Sequence, residues 1–296
     1  MRIVVTGRDG QVVRSLCERA VGRAVEIVPI GRPELDLSMP ADAIISAIEG
    51  LRPSIIVSAA AYTQVDKAES EPELALAVNA GGPRALAEAA RHLNVPIIQL
   101  STDYVFDGAK SSPYVETDPT SPQGIYGASK LKGEEAVLST HGDSAVLRTA
   151  WVYSPFGANF VKTMLRLAGE RDEIAVVADQ HGNPTSALDI AEGILRVADN
   201  LVGNPDPALR GIFHMTADGE ASWAKLAEAV FEASAKESGP VAKVRYIRTS
   251  DYPTAARRPS NSRLDSSKLA ATHGVRLPGW RQSVTEVVKR LIRDSA

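Results

Sequence analysis

Arg2-Ile3-Val4-Val5-Thr6-Gly7-Arg8-Asp9-Gly10-Gln11-Val12-Val13 is the stretch on which the reading of the fold turns. A β-branched run ends in a turn with glycines three apart, and a helical pattern follows. Gly7 and Gly10 let the backbone bend sharply and approach a pyrophosphate, with the N-terminus of the next helix facing the anion. A third glycine of the Gly-x-x-Gly-x-x-Gly pattern would stand at position 13. Val13 stands there instead, and its side chain is expected to push the helix away from the sheet. Outward from this unit the alternation continues. Short apolar runs at 25–30, 55–57, 97–100 and 145–147 are separated by helical candidates over 11–21, 41–51, 73–93 and 126–140. Strands buried on both faces look like this, and strand–helix alternation predicts an α/β, doubly wound parallel sheet of Rossmann type. The ligand crevice then lies at the carboxyl ends of the strands.

The second half is less regular. Helices are predicted over 159–169, 187–201, 223–234 and 282–293, and short strands over 174–177, 212–214 and 241–247. The polar, Pro-containing stretches 178–186 and 250–265 read as ordered loops with work to do. The expected division is a dinucleotide-binding domain over 1–150 and a smaller, mainly substrate-binding region over 151–296, parts of which return to the sheet.

Composition excludes several classes. The chain has 296 residues, 33 basic against 36 acidic, and a net charge of -3. That balance, with no Lys/Arg block, argues against nucleic acid as a partner. A single cysteine, Cys17, excludes an intramolecular disulfide framework and fits a reducing compartment. No apolar run approaches the roughly 18 residues of a membrane span. With no signal peptide ahead of the first strand, a cytoplasmic protein is expected. The five histidines lack zinc-site spacing, and neither a Gly-x-Ser-x-Gly elbow nor a P-loop is present.

Two further pieces carry chemistry. Tyr126 and Lys130 stand four residues apart, on one face of a helix. A nearby ammonium is expected to lower the phenol's pKa from about 10, fitting it for general acid–base work. Thr102 at the end of the fourth strand would point its hydroxyl into the same crevice; as a lone feature it reads rather as a capping Thr-Asp pair with Asp103, and its place beside the other two sites favours the crevice. At the end of the second strand, Ile30-Gly31-Arg32 offers no carboxylate for a ribose and an arginine for a 2′-phosphate. NADPH is therefore expected over NADH, which stays possible, with Asp36 and Leu37 bordering the adenine. Arg257 and Arg258 are candidates for a substrate diphosphate or for plain salt bridges.

Together these residues resemble the extended short-chain dehydrogenase/reductases, and within them the dTDP-4-dehydrorhamnose reductase family. The resemblance runs over almost the whole chain. It is carried by Gly7-x-x-Gly10-Gln11-Val12, by 59–69 (Ala-Ala-Ala-Tyr-Thr-x-Val-Asp-Lys-Ala-Glu), by 101–108 (Ser-Thr-Asp-Tyr-Val-Phe-Asp-Gly) and by Tyr126-Gly127-x-x-Lys130. It continues through Arg148-Thr149-x-Trp151-Val152-Tyr153, the block 159–164, Asp179-Gln180-x-Gly182-x-Pro184-Thr185 and Arg258-Pro259-x-Asn261-Ser262. It implies reduction of dTDP-4-dehydro-6-deoxy-L-mannose to dTDP-L-rhamnose by hydride from NAD(P)H, in the synthesis of surface polysaccharide precursors.

Residue by residue, the resemblance makes Tyr126 the proton donor, Lys130 its support and a ligand of the nicotinamide ribose, and Thr102 a partner of the reacting oxygen. Gly7, Gly10, Gln11, Val12, Arg32, Asp36, Leu37, Ala60, Ala61, Tyr62, Tyr126 and Lys130 would contact the dinucleotide. Thr63, Val65, Thr102, Asp103, Tyr104, Tyr126 and Trp151 would contact the sugar nucleotide. Related dehydratases carry an Asp-Glu pair after this threonine, whereas here Asp103 is followed by Tyr104, so dehydration is not expected. Some members recruit Mg²⁺ through glutamates at a dimer interface. Ser15 stands at one such position, so no metal requirement is expected; Glu192 reads as a helix-surface glutamate. A homodimer is expected. Two other readings stay open: a reductase of another 4-keto nucleotide sugar, and a non-catalytic regulatory subunit on the same fold, for which Val13 speaks.

Overall fold

Arg2–Thr6 (β1), Glu26–Ile30 (β2), Ile55–Ser58 (β3), Ile97–Thr102 (β4) and Ser144–Thr149 (β5) lie side by side in a computed structural model that describes residues 1–294. With the strand Gly211–His214 they form one six-stranded sheet in the order Gly211–His214, β5, β4, β3, β1, β2, every pairing parallel. The order reverses at β1, so β1 and β3 flank the crevice that a doubly wound sheet opens at its carboxyl edge.

Alternating side chains divide the core between two faces. Ile3, Val5, Ile55, Val57, Ile98 and Leu147 pack with Val13 and Leu16 of α1 (Gln11–Arg19). Val4, Ile56 and Ile97 pack on the other face with Ile44 and Ile48 of α2 (Ala41–Glu49). Val65–Ala68 (α3), Pro72–Leu76 (α4), Gly82–Leu93 (α5) and Ile125–Thr140 (α6) follow in chain order. A third cluster lies beyond the sheet. It joins Phe160–Ala168 (α7), the strand Glu173–Val177 and helices Trp223–Lys236 and Trp280–Arg293 around Tyr153, Phe156 and Phe231. No helix among the described residues is long and apolar enough to cross a membrane.

The structure departs from the sequence expectation in instructive places. The single helix expected over 73–93 is broken at Ala77–Gly81, where one wide turn interrupts the ladder. Buried Asn79 sits in that turn, accepts from the Tyr62 N–H at 2.8 Å and donates to the Ser129 hydroxyl at 2.9 Å. Such insertions in helices recur where a side chain must serve a distant partner. The 178–186 stretch contains two short strands, His181–Gly182 and Thr185–Ser186, which pair with Ala221–Ser222 and Val152–Tyr153. A helix at Ser267–His273 escaped the sequence reading.

Val13 does not hold α1 off the sheet. It is buried in the core cluster, in contact range of Gly7. Gly7 takes φ +102°, closed to L side chains without strain, and its N–H donates to the Ile30 carbonyl at 2.7 Å, fixing the turn to the end of β2. Gly7→Ala is expected to lower the unfolding free energy by about 1–3 kcal/mol, the cost of a forced positive φ. Urea denaturation measures it, and an unchanged midpoint would show that the turn carries no such constraint.

Candidate active site

The glycine turn, the ends of β2 and β3 and the start of α3 enclose a cleft of about 580 Å³. Gly7, Arg32, Asp36, Leu37, Ala60, Ala61 and Tyr62 line it, as expected of the dinucleotide residues, and Thr63 lines it too. Gly10 caps α1 at the cleft's edge, so the free N–H groups of the first turn, from Gln11 and Val12 onward, begin there. These residues fit a dinucleotide. A Cβ on Gly31 would come within 3.3 Å of Gly7, narrowing the floor that bare backbone keeps open. Thr6 Oγ1 accepts from the N–H groups of Ala59 and Ala60, both at 3.0 Å, and ties β3's end to β1. Arg32 is exposed beside Asp36, whose Oδ1 is already occupied by the Ser38 N–H and hydroxyl. Arg8, which the sequence reading passed over, also lines the cleft and pairs with Glu34 at 2.5 Å.

A larger cavity of about 880 Å³ opens on the other side, walled by Asp66, Tyr104, Phe160, Trp223, Arg245 and Arg258 among others. Arg258 pairs with Asp66 at 2.6 Å and reaches the Tyr104 hydroxyl at 3.3 Å. Its neighbour Arg257 reaches the Gln123 side chain, at 3.2 Å. Trp151 stacks on Trp223 with ring centroids 3.6 Å apart and planes 4° from parallel. Trp151 holds φ +49°, a costly conformation for a bulky residue, and donates through Nε1 to Ser262 at 3.2 Å. Trp223 gave no sequence signal, since its partner lies far back in the chain.

The end of β4 and the first turn of α6 bring the chemistry together. A threonine hydroxyl has one proton and two acceptor positions. The Thr102 hydroxyl donates to Asp103 Oδ1 at 2.9 Å and accepts from the Tyr104 N–H at 3.2 Å. The same Thr102 hydroxyl hydrogen-bonds the Tyr126 side chain, an interaction that favours the phenolate. The Tyr104 ring meets the Tyr126 ring edge-on at 5.7 Å. Val65 opens α3, one residue before Asp66. Thr102, Asp103, Tyr104 and Tyr126 thus form one cluster, and Trp151 is tied to the Ser262 hydroxyl nearby.

Electrostatics corrects one expectation. Lys130 does not bring Tyr126 below its ordinary value. Burial holds the phenol above its ordinary 10; the Thr102 hydrogen bond works against this, while Asp103 and Tyr104 reinforce it. Lys130 is itself buried, with Nζ donating to the Leu100 carbonyl at 2.6 Å, and burial lowers it to about 8, Glu134 resisting. Desolvation disfavours whichever form is charged, so it moves the acid up and the ammonium down. Asp103 is likewise pushed up to about 6 by burial, against hydrogen bonds from Ser262 and Thr102. A phenol kept protonated at neutral pH is the form a proton donor needs.

Ser15 donates to the Gln11 carbonyl at 2.8 Å, and Glu192 is engaged by Arg23 at 2.7 Å. A parallel sheet with a glycine turn after its first strand, a dinucleotide cleft and a Tyr/Lys helix beside it define a nicotinamide-dependent oxidoreductase.

Comparison with known proteins agrees. The family model described as RmlD substrate binding domain matches residues 1–293. A dTDP-4-dehydrorhamnose reductase of Sinorhizobium fredii is 52% identical over 295 residues, 99% of each chain. A crystal structure of a dTDP-4-dehydrorhamnose reductase from Clostridium acetobutylicum superposes with a TM-score of 0.91 at 37% identity, covering 98% of this chain and 99% of that one. The Bacillus anthracis reductase of the same name, solved in complex with NADP, gives 0.89 at 34% identity, covering 97% and 98%. The chain belongs to the RmlD family, that of the dTDP-4-dehydrorhamnose reductases.

Gly127 sets the approach of the whole cluster. A Cβ there would run into the Tyr104 carbonyl oxygen and meet Pro122 at 3.0 Å. Gly127→Ala is expected to cost about 1–3 kcal/mol, as overpacking does, and to lower activity by displacing Tyr126 from Thr102. Thermal melting and turnover check it together; a variant unchanged in both would show that α6 has room to spare.

Proposed function

We infer that this chain reduces the 4-keto group of dTDP-4-dehydro-6-deoxy-L-mannose, giving dTDP-L-rhamnose. A bound nicotinamide dinucleotide supplies the hydride. The observation that carries the reading is Tyr126, held protonated by burial beside Thr102 at the end of β4, in a chain that also offers a dinucleotide cleft at the glycine turn and a second cavity walled by arginines and aromatic rings. As the carbonyl carbon gains the hydride, the C=O π bond opens and its oxygen takes the Tyr126 proton, leaving an alcohol and a phenolate. The Thr102 hydroxyl, which donates to Asp103 and accepts from the Tyr104 N–H, shares the hydrogen-bonding of that oxygen by turning its proton from Asp103 to it. Lys130 supports the phenolate with its positive charge until a proton returns. Trp151, stacked on Trp223, walls the sugar side, and Arg258 is placed to meet the diphosphate once it leaves Asp66.

NADPH is preferred over NADH. Arg32 and Arg8 offer cations at the cleft, and Ser38 already occupies Asp36. No Mg²⁺ is required, since Ser15 stands where the resemblance puts a glutamate and Glu192 is taken by Arg23. The working form is a cytoplasmic homodimer, a reading supported by the resemblance and by the lone Cys17.

Oxidation of NADPH and of NADH, with the 4-keto-L-sugar nucleotide generated in situ and with EDTA or Mg²⁺ present, tests these statements side by side. Tyr126→Phe is expected to lower kcat by about 10²–10⁴-fold while dinucleotide binding survives. A Phe variant with wild-type turnover would remove Tyr126 from the chemistry. Lys130 is charged below about 8, so its support is present at neutral pH and is lost as pH rises through about 8. kcat/KM is therefore expected to fall on the alkaline side of that value. A flat profile to pH 10 would mean that the ammonium is not needed.

A further inference from the structure

Three charged side chains lie out of water between α6 and the sheet, and the chemistry above uses only one. Lys130, Glu134 and Arg148 are 3%, 1% and 1% exposed. Arg148 on β5 grips the Glu134 carboxylate with Nε at 2.9 Å and Nη2 at 2.6 Å, and the Ser101 hydroxyl donates to it at 2.5 Å. Ser101 and Arg148 are register partners on adjacent strands. Glu134 follows Lys130 by one turn on the same face of α6. Lys130 in turn is bonded to Leu100, the residue just before Ser101.

A clamp between helix and sheet would not need ions. Replacing a buried pair by apolar groups of similar volume is often neutral or stabilising. The third charge changes the account, because Lys130's hydrogen bond runs to a neutral carbonyl. On its own helix it has Tyr126 and Glu134. Asp103 lies beyond the end of β4 and bonds Thr102, and Arg148 on β5 is a second cation. The wide turn at 77–81 brings uncharged Asn79. Around α3 and α4, Asp66 is taken by Arg258, Lys67 by Glu71, and Glu69 by the Ile125 N–H. On α5, Arg84 and Glu88 pair with each other. Glu134, one turn along the same helix face, is thus the carboxylate whose charge favours the Lys130 ammonium through space, and Arg148 and Ser101 hold Glu134.

We propose that Glu134, fixed by Arg148 and Ser101, is a positioning residue that keeps the buried Lys130 ammonium charged beside Tyr126. The proposal rests on the reading of Tyr126 and Lys130 as the catalytic pair. A merely structural clamp and an electrostatic support differ in one respect. Breaking a clamp from either side has the same effect, whereas Glu134 and Arg148 act on Lys130 with opposite signs. Glu134→Gln removes the attraction and leaves the guanidinium's repulsion; Arg148→Met does the reverse.

The experiment is the pH profile of kcat/KM for NADPH-dependent reduction by wild type, the two single variants and the Glu134→Gln/Arg148→Met double variant. In Glu134→Gln the alkaline limb is expected to move down by about one pH unit or more. Turnover then falls about fivefold or more at pH 8 and stays within about twofold of wild type at pH 6. In Arg148→Met the limb moves up. The double variant, in which both ions leave together, falls between wild type and Glu134→Gln. Where a single variant does not fold, the remaining single and the double each carry the test by the direction of their shift. Limbs that do not move, or two singles that move the same way, overturn the proposal. Wild-type protein without turnover would instead defeat the proposed activity, so the two failures are distinct.

Discussion

The centre of this molecule depends on one contact: α6 lying against the end of β4. Three consecutive strand residues each take hold of the helix. The Leu100 carbonyl receives Lys130, the Ser101 hydroxyl donates to Glu134, and the Thr102 hydroxyl bonds Tyr126. Positions 126, 130 and 134 are successive turns of one helix face, so a single placement of α6 sets all three. Gly127 permits that placement by leaving space for the Tyr104 carbonyl. The strand's twist and the helix's pitch therefore fix the geometry of the site more firmly than any loop could.

Burial is what gives these groups their character. The same loss of water raises the Tyr126 phenol, lowers the Lys130 ammonium and raises the Asp103 carboxyl. A phenol held protonated and an ammonium held near its titration point are the two states that a proton donor and its support require. The cost is a set of ions inside the protein that a hydrophobic interface would not contain. The layout limits that cost by giving Glu134 three short hydrogen bonds from two side chains.

Much of the architecture was legible in the sequence because it is local. The β-branched runs at 3–5 and 55–57, bounded by glycine or small residues, can only be buried parallel strands, and Gly7 announces a turn that side chains resist. The Tyr126/Lys130 pair was legible for the same reason, being one helical turn. What escaped depends on partners distant in the chain. Asn79 breaks its helix to reach Tyr62 and Ser129. Trp223 becomes part of a cavity wall only by stacking on Trp151. Glu134 stands in a Lys-Gly-Glu-Glu run that reads as a solvated helix face, and only β5 turns it inward. The sign of the Tyr126 shift was misread because spacing shows a nearby cation and cannot show the absence of water.

The strand Gly211–His214 covers the flank of β5, a strand buried along its whole length. Until that strand is made, β5 presents an unpaired row of N–H and C=O groups above apolar side chains, the kind of edge that recruits other chains. Synthesis proceeds from the N-terminus, so the ribosome releases β1 through β5 well before the piece that seals them. The nascent chain carries an open sheet through the making of α7 and the residues that follow, and this interval is where holding chaperones would matter most to it.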